Sequence, residues 1–458
     1  MLNEPIELQP QRSAPLVAST PTVSPNEHME RFGLAEKPED DGLPPQDRGR
    51  KAWTFIAAAF VLDWGFNYAF SAVLVWFRAN EPWSQYSLAT LSAIPTIQSA
   101  LTYFLPILVV NGFRRYPEYA KPALLISAVL FSLSMFAASF ATKIEHLILL
   151  QGVVCGTTGA VMYAPTVMHL NAWFVHRRGL ASGIIFAGTG IGGATFPFLI
   201  SKLLDKYGFV GMTRVWSAVV GVASIGSVLV LQPRVPPVKP KDGKREKLFL
   251  LDLSIIKSTS FWIMSATIFL SSLAYFPTSL YLATFTSSVL HSSSLLLPSV
   301  VVAAFNASAF LGSPIIGAAA DRSLEFTIIS LGLAGTVFAL GAWGSSSSLA
   351  GILTFAVLYG FGSRITSYFG PAAKEISGSN PHASATVLCF FSIFRGVASL
   401  AGPFIAASLY EEKYSDSDDG TWGRYGFEKV IIFVGVMSFL SAIGGVTMRM
   451  VRKKRVVA

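Results

Sequence analysis

VLCFFSIFRGVASLAGPF (387–404) is an apolar stretch with a single charge, Arg395, at its centre. In a water-soluble helix that arginine would reach solvent along its own stem. In a bilayer it would stand near the middle of the hydrocarbon, where an ionised side chain costs about 2.5–3.5 kcal/mol on insertion scales. Composition decides between the two. Hydrophobic residues make up 52% of the chain and charged residues 13%, against about 25% charged in an ordinary soluble domain. Phenylalanine alone fills 35 positions, and the mean hydropathy is +0.53. Apolar runs long enough to cross roughly 30 Å of hydrocarbon recur along the sequence. The chain therefore reads as a polytopic membrane protein. Its spans read as helices, because an open strand edge leaves backbone groups unsatisfied in lipid and the runs exceed the length of a barrel strand.

Outward from 387–404, twelve spans are expected, at 53–75, 88–112, 120–142, 147–170, 179–203, 213–231, 260–283, 295–320, 326–345, 349–369, 384–409 and 427–449. The segment QPRVPPVKPKDGKREKLFLLD (232–252) is rich in proline and lysine and divides them six and six. The expected organisation is a disordered N-terminal tail (1–52), a six-helix bundle (53–231), a basic linker (232–259), a second six-helix bundle (260–449) and a basic C-terminal tail (450–458). Two bundles joined by a basic linker are the plan of a transporter built from repeats, with its site at the midplane between them.

The net charge of +9 does not point to nucleic acid, since the basic residues sit in short clusters between apolar runs. Arg48, Arg50 and Lys51, then Arg114, Arg115 and Lys121, then Arg177 and Arg178, then the linker and the C-terminal Arg449, Arg452, Lys453, Lys454 and Arg455 all fall on one side of an even-span topology. Both termini are thus expected in the cytoplasm, where basic loops face anionic lipid. The first fifty residues have no apolar core of a secretory signal, so the first span is expected to direct insertion, and the plasma membrane is the expected location. Cys155 and Cys389 both lie inside apolar runs and imply no disulfide framework. No histidine cluster suggests a metal, and a monomer is expected.

Clear of the span ends, three charged residues fall within spans: Asp63, Arg364 and Arg395. Each needs a buried partner or a wet cavity. Arg395 lies about eleven residues into its span, or about 16 Å at 1.5 Å per residue, which is midplane depth. Arg offers a permanently charged planar fork that fits a carboxylate, so Arg395 is the leading candidate anchor for an organic anion. Arg364 is a second candidate, although it is expected near the basic end of its span, from which its stem could snorkel. Asp63 is the candidate proton carrier, with a structural ion pair to an arginine as the alternative. Asn67, Tyr68, Gln98 and Asn306 are candidate neutral contacts, for which ordinary interhelical hydrogen bonds are the plain alternative.

AGTGIGG (187–193) contains a formal G-x-G-x-x-G. A dinucleotide site needs a strand before it and a helix after it. These glycines lie inside a span, and a small-residue face for close helix approach is the better reading. No cofactor is expected. No phosphate-binding loop ending in Gly-Lys-Ser/Thr occurs, so nothing supports ATP-driven pumping.

WFVHRRGLASGI (173–184) and YSLATLSAIPTIQ (86–98) resemble the monocarboxylate porter branch of the major facilitator superfamily, and its fungal members in particular. KSTSFW (257–262) is similar to the element that opens the seventh span of that branch, and GAAADR (317–322) to the superfamily's G-x-x-x-D-R loop. The resemblance covers about residues 50–450. It implies the two-bundle transporter fold and alternating access. It also implies gating roles for Arg177, Arg178, Asp321 and Arg322, and supports Arg395, since some relatives hold a carboxylate with a cation in the eleventh span. Departures exist. VVNGFRRYPEY (109–119) lacks the acid of the first-half loop, with Asn111 in its place, and the charged pair of the animal eighth span is missing. Lactate specificity of the animal type is not carried over.

The expected function is secondary transport of a small organic anion, coupled to protons. A proton-antiport exporter of a larger amphipathic metabolite is the alternative, and a non-transporting sensor of transporter shape a third. Enzyme chemistry has no supporting constellation: the spans hold neither a Ser/His pair nor paired aspartates.

Overall fold

The computed structural model describes residues 43–66, 70–236, 245, 255–290, 296–378, 380–411 and 422–457. The expectations for the tail up to residue 42, for Asn67 and Tyr68, for most of the linker and for the acidic loop at 412–421 fall outside the described residues.

Every regular element among the described residues is helical. In chain order they are α1 (Arg50–Phe66), α2 (Phe70–Ala79), α3 (Leu88–Phe104), α4 (Pro106–Arg115) and α5 (Ala120–Ala137). A π-helical stretch (Ile148–Val154) then leads into α6 (Cys155–Trp173). After it come α7 (Arg178–Val230), α8 (Thr259–Leu290), α9 (Leu296–Arg322), α10 (Leu324–Val337), α11 (Leu349–Gly362), α12 (Phe369–Ser377), α13 (Pro381–Leu409) and α14 (Glu428–Val457).

Ten helical stretches among the described residues are long and apolar enough to cross a membrane. Two features reconcile that number with twelve crossings. The 53 residues of α7 contain a break at Gly208 (φ 64°, ψ −174°), a backbone conformation in which a side chain would be strained. The rings of Phe196 and Trp216, on either side of it, meet edge to face at 4.5 Å between centroids. In a straight helix, residues twenty apart stand about 30 Å apart, so the chain reverses at Gly208 and α7 supplies the fifth and sixth spans. The first expected span is shared between α1 and α2, with residues 67–69 between them.

One boundary is corrected. The tenth span does not end at 369 but runs over Leu349–Ser377. Its helix stops at Gly362, passes through Ser363 and a non-helical Arg364 (φ −85°, ψ 72°), makes a short 3₁₀ turn and resumes as α12. The apolar run fades at Lys374 and Glu375, which is why hydropathy ends it early. Arg364 consequently sits at the interruption in mid-span, not near the end.

The outer surface is apolar: Val222 is 77% exposed, Phe404 73% and Phe326 66%. A surface of that kind faces lipid, which has no need of polar cover. Inside, small polar residues such as Ser182, Thr213, Ser265 and Ser313 are buried. One apolar core runs from Ala52 and Phe55 in the first half to Phe261, Ile316, Tyr368 and Phe391 in the second. A separate core (Phe285, Trp343, Phe355, Phe427) belongs to the second half alone. The two halves are therefore packed together at the end that carries Arg114, Arg177 and Arg322, here called the basic end.

Candidate functional site

Arg395 projects from the middle of α13 into a nest of aromatic rings. Its guanidinium carbon lies 5.0 Å from the ring centre of Phe276, 5.3 Å from Tyr275 and 5.8 Å from Tyr103. Its Nε donates to the Tyr103 hydroxyl at 3.4 Å. The residue is 6% exposed, and its Nη1 is buried without a hydrogen-bond partner. Tyr103 comes from α3 and the other two rings from α8, so both halves build the nest. Gly396 lets α3 in, since a Cβ there would stand 2.9 Å from that of Tyr103.

Arg364 faces the same Tyr275 ring at 5.8 Å. Leaving the helix at Ser363 turns its side chain inward, where Nη1 donates to Thr189 Oγ1 at 2.8 Å and Nη2 to Asn306 Oδ1 at 3.2 Å. It does not snorkel: it is 6% exposed, and its Nε is buried and unpartnered. Asn306 is thus a direct partner of Arg364, and its amide nitrogen donates to the Val302 carbonyl of its own helix at 3.0 Å.

Asp63 completes the group. Its Oδ2 accepts from the backbone N–H of Thr189 at 3.0 Å. The approach depends on Gly188, where a Cβ would collide with the Phe60 carbonyl of α1. The formal nucleotide motif is thereby a packing face: Gly188 receives α1, while Gly190 and Gly193 receive Phe310 and Asn306 of α9. Thr189 links Asp63 on one side to Arg364 on the other. Among the described residues no carboxylate forms a salt bridge within 4.0 Å of Arg364 or Arg395. The expected alternative of an Asp63–Arg395 ion pair is not formed. Gln98 lies on α3, half-buried, and its backbone carbonyl accepts from Thr102 at 2.8 Å. Asn67 and Tyr68 lie outside the described residues.

The four residues for which the resemblance implies gating roles divide into two pairs. Asp321, at the end of α9, accepts from the backbone N–H groups of Gly179 (2.7 Å) and Leu180 (2.9 Å) at the start of α7. A carboxylate there satisfies free helix-end donors and complements the helix dipole. The two helices touch closely, for a Cβ on Gly179 would overlap the Gly317 carbonyl. Arg178 is buried, with Nε donating to the Phe174 carbonyl at 2.8 Å. Arg177 and Arg322 are exposed at this end. On the same helix start, Asp47 accepts from the N–H groups of Val175 (3.1 Å), His176 (3.0 Å) and Arg177 (2.9 Å).

At the corresponding place in the other half, Asn111 turns back on its own helix and donates to the Ile107 carbonyl at 2.6 Å. The start of α13 is capped by its own Asn380, which accepts from His382 N and Ala383 N. Arg114 adds a bond to Thr386 Oγ1 at 3.1 Å and another to the His382 carbonyl.

Sequence reading missed Tyr103, Tyr275, Phe276, Thr189 and Asp47. The two tyrosines carry a weak signal, a polar tip inside an apolar run. Thr189 gives its backbone N–H to Asp63, and Asp47 accepts from backbone N–H groups, contacts for which one sequence holds no sign.

The Major Facilitator Superfamily model matches residues 55–403. The aspyridones efflux protein apdF of Emericella nidulans is 28% identical over 82% of this chain and 74% of its own length. An MFS-type transporter of Gibberella moniliformis is 28% identical over 89% and 94%. Among solved structures, a mutant of the nucleoside transporter NupG superimposes with a TM-score of 0.59 at 15% identity, covering 87% of this chain and all of that one.

Proposed function

The chain belongs to the Major Facilitator Superfamily, and on that premise we propose that this membrane transporter carries an organic anion together with a proton by alternating access. One observation carries the reading. Two buried arginines share the Tyr275 ring, each keeps an unpartnered N–H, and neither has a carboxylate within salt-bridge reach among the described residues. A desolvated cation without a counter-ion is costly, and an incoming carboxylate supplies one with bidentate geometry. In this reading Arg395 is the anchor, Arg364 and Asn306 flank it, and Asp63 takes the proton.

The charge balance favours cotransport over antiport. With Asp63 ionised, an anion meets two guanidinium groups and one carboxylate; with Asp63 protonated it meets the two cations alone. The anion therefore binds better to the protonated site, and by reciprocity its binding favours proton uptake. Direction then follows the gradient of the acid. Anion and proton moving together carry no net charge, so the membrane potential does not set the direction; the efflux named for the Emericella relative supports an outward one. The basic end, on this reading, faces the cytoplasm of a plasma membrane, with 53–231 and 260–449 as the two rocking bundles of a monomer.

Proteoliposomes and a panel of labelled carboxylates test the coupling. An inward proton gradient is expected to drive accumulation. Asp63→Asn should abolish that accumulation while equilibrium exchange continues. Accumulation driven by the opposite gradient would establish antiport, and unchanged gradient-driven accumulation in Asp63→Asn would remove Asp63 from the coupling.

A further inference from the structure

We infer that the acid selected here is a flat, conjugated one with a second oxygen beside its acidic group; the inference rests on Arg395 being the anion anchor. The argument starts from the plane of the guanidinium. A carboxylate bound to the fork lies in that plane, because the two N–H···O bonds are parallel and coplanar. The Arg395 guanidinium sits over the rings of Phe276, Tyr275 and Tyr103 at 5.0, 5.3 and 5.8 Å. Whatever the fork holds enters a site walled by those three rings. A saturated chain puckers out of the plane. A conjugated body stays in it and can stack in the offset manner that aromatic pairs prefer.

The second oxygen follows from Arg364. Nη1 and Nη2 are already engaged with Thr189 and Asn306, while its Nε is buried with no acceptor, over the ring that Arg395 also faces. An acid with a single carboxylate satisfies Arg395 and leaves that donor bare. A hydroxyl or carbonyl oxygen conjugated with the acidic group satisfies both. A saturated monoacid with no oxygen beside its carboxylate, such as butyrate, meets neither condition.

Calorimetry on the purified full-length protein, with salicylate, benzoate and cyclohexanecarboxylate as probes, separates the terms. The three carry one charge and similar bulk; only the first two are flat, and only salicylate has the second oxygen. The expected order is salicylate, then benzoate, then cyclohexanecarboxylate, with about tenfold between the first and the last, on the scale of one or two aromatic contacts. Phe276→Leu should shrink that ratio to about threefold or less. Arg364→Lys should remove most of the step between salicylate and benzoate. Equal affinity for all three acids, with binding lost in Arg395→Gln, would overturn this inference and leave the anion reading standing. Binding of none of them to the wild type, or wild-type affinity in Arg395→Gln, would overturn both. If a variant does not yield monodisperse protein, the order of the three acids on the wild type decides.

Discussion

Arg395 owes its role to what its nitrogens lack. Nε is occupied by Tyr103, Nη1 has no acceptor, and the rings around it stabilise the charge without neutralising it. Arg395→Lys keeps the charge and loses the fork, so anion affinity should fall by about tenfold. Arg395→Gln should lose about 10–100-fold, the worth of a hydrogen bond to a charged group, and isothermal calorimetry on monodisperse protein reads both. Wild-type affinity in the glutamine variant would end the anchor hypothesis. The place of Arg395 at the middle of its helix was legible in the sequence because its span is continuous, and residues count directly into ångströms along an unbroken helix. The place of Arg364 was not, because the helix stops at Gly362, two residues before it, and resumes beyond. The aromatic nest was also hidden. Tyr103 and Tyr275 come from the second and seventh spans, and nothing in one sequence says which spans meet.

At the scale of elements, the start of α7 receives two carboxylates that differ in where they come from. Asp47 belongs to the same half as α7; Asp321 crosses from the other half. Asp321→Ala should therefore loosen the basic end. A lost helix cap is worth about 1 kcal/mol, enough for about a fivefold change in population. Spin labels at Lys121→Cys and Arg322→Cys, both exposed on opposite halves, should report a longer distance in a larger fraction of molecules. Asp47→Ala should lower thermal stability without changing that distance, because its bonds move with α7. An identical distance distribution in Asp321→Ala would show that the cap does not hold the halves together. Helix existence was legible, since lipid forces long apolar runs. The reversal at Gly208 was placed between two expected spans. The interruption at Ser363–Arg364 was not seen, because hydropathy records polarity and is blind to a change of backbone angle.

For the whole molecule, closure at the basic end is set by α7 against α9 and by α13 against α3 and α4. Which side of the membrane that end faces is open to a direct test. Cys155 and Cys389 are both buried, so a membrane-impermeant maleimide should read only introduced cysteines. Lys241→Cys and Ser415→Cys are expected to label from opposite sides of sealed vesicles, Lys241→Cys from the cytoplasmic side; labelling of both from one side would refute the topology. The two ends of the closure are not built alike. One helix start is held by a carboxylate from across the divide, whereas its counterpart, α13, is satisfied by its own Asn380. A molecule fastened by a full pair of such caps would need a ligand with strong preference for one state to turn it over. With one such cap, and the Arg114 bonds to Thr386 and the His382 carbonyl in place of the second, it rests nearer to balance, and a difference in affinity of a few kcal/mol between states moves most of the population. The missing acid at Asn111 would then set a sensitivity: a carrier tuned to turn over for a guest it grips only moderately, and so to release it as readily as it takes it up.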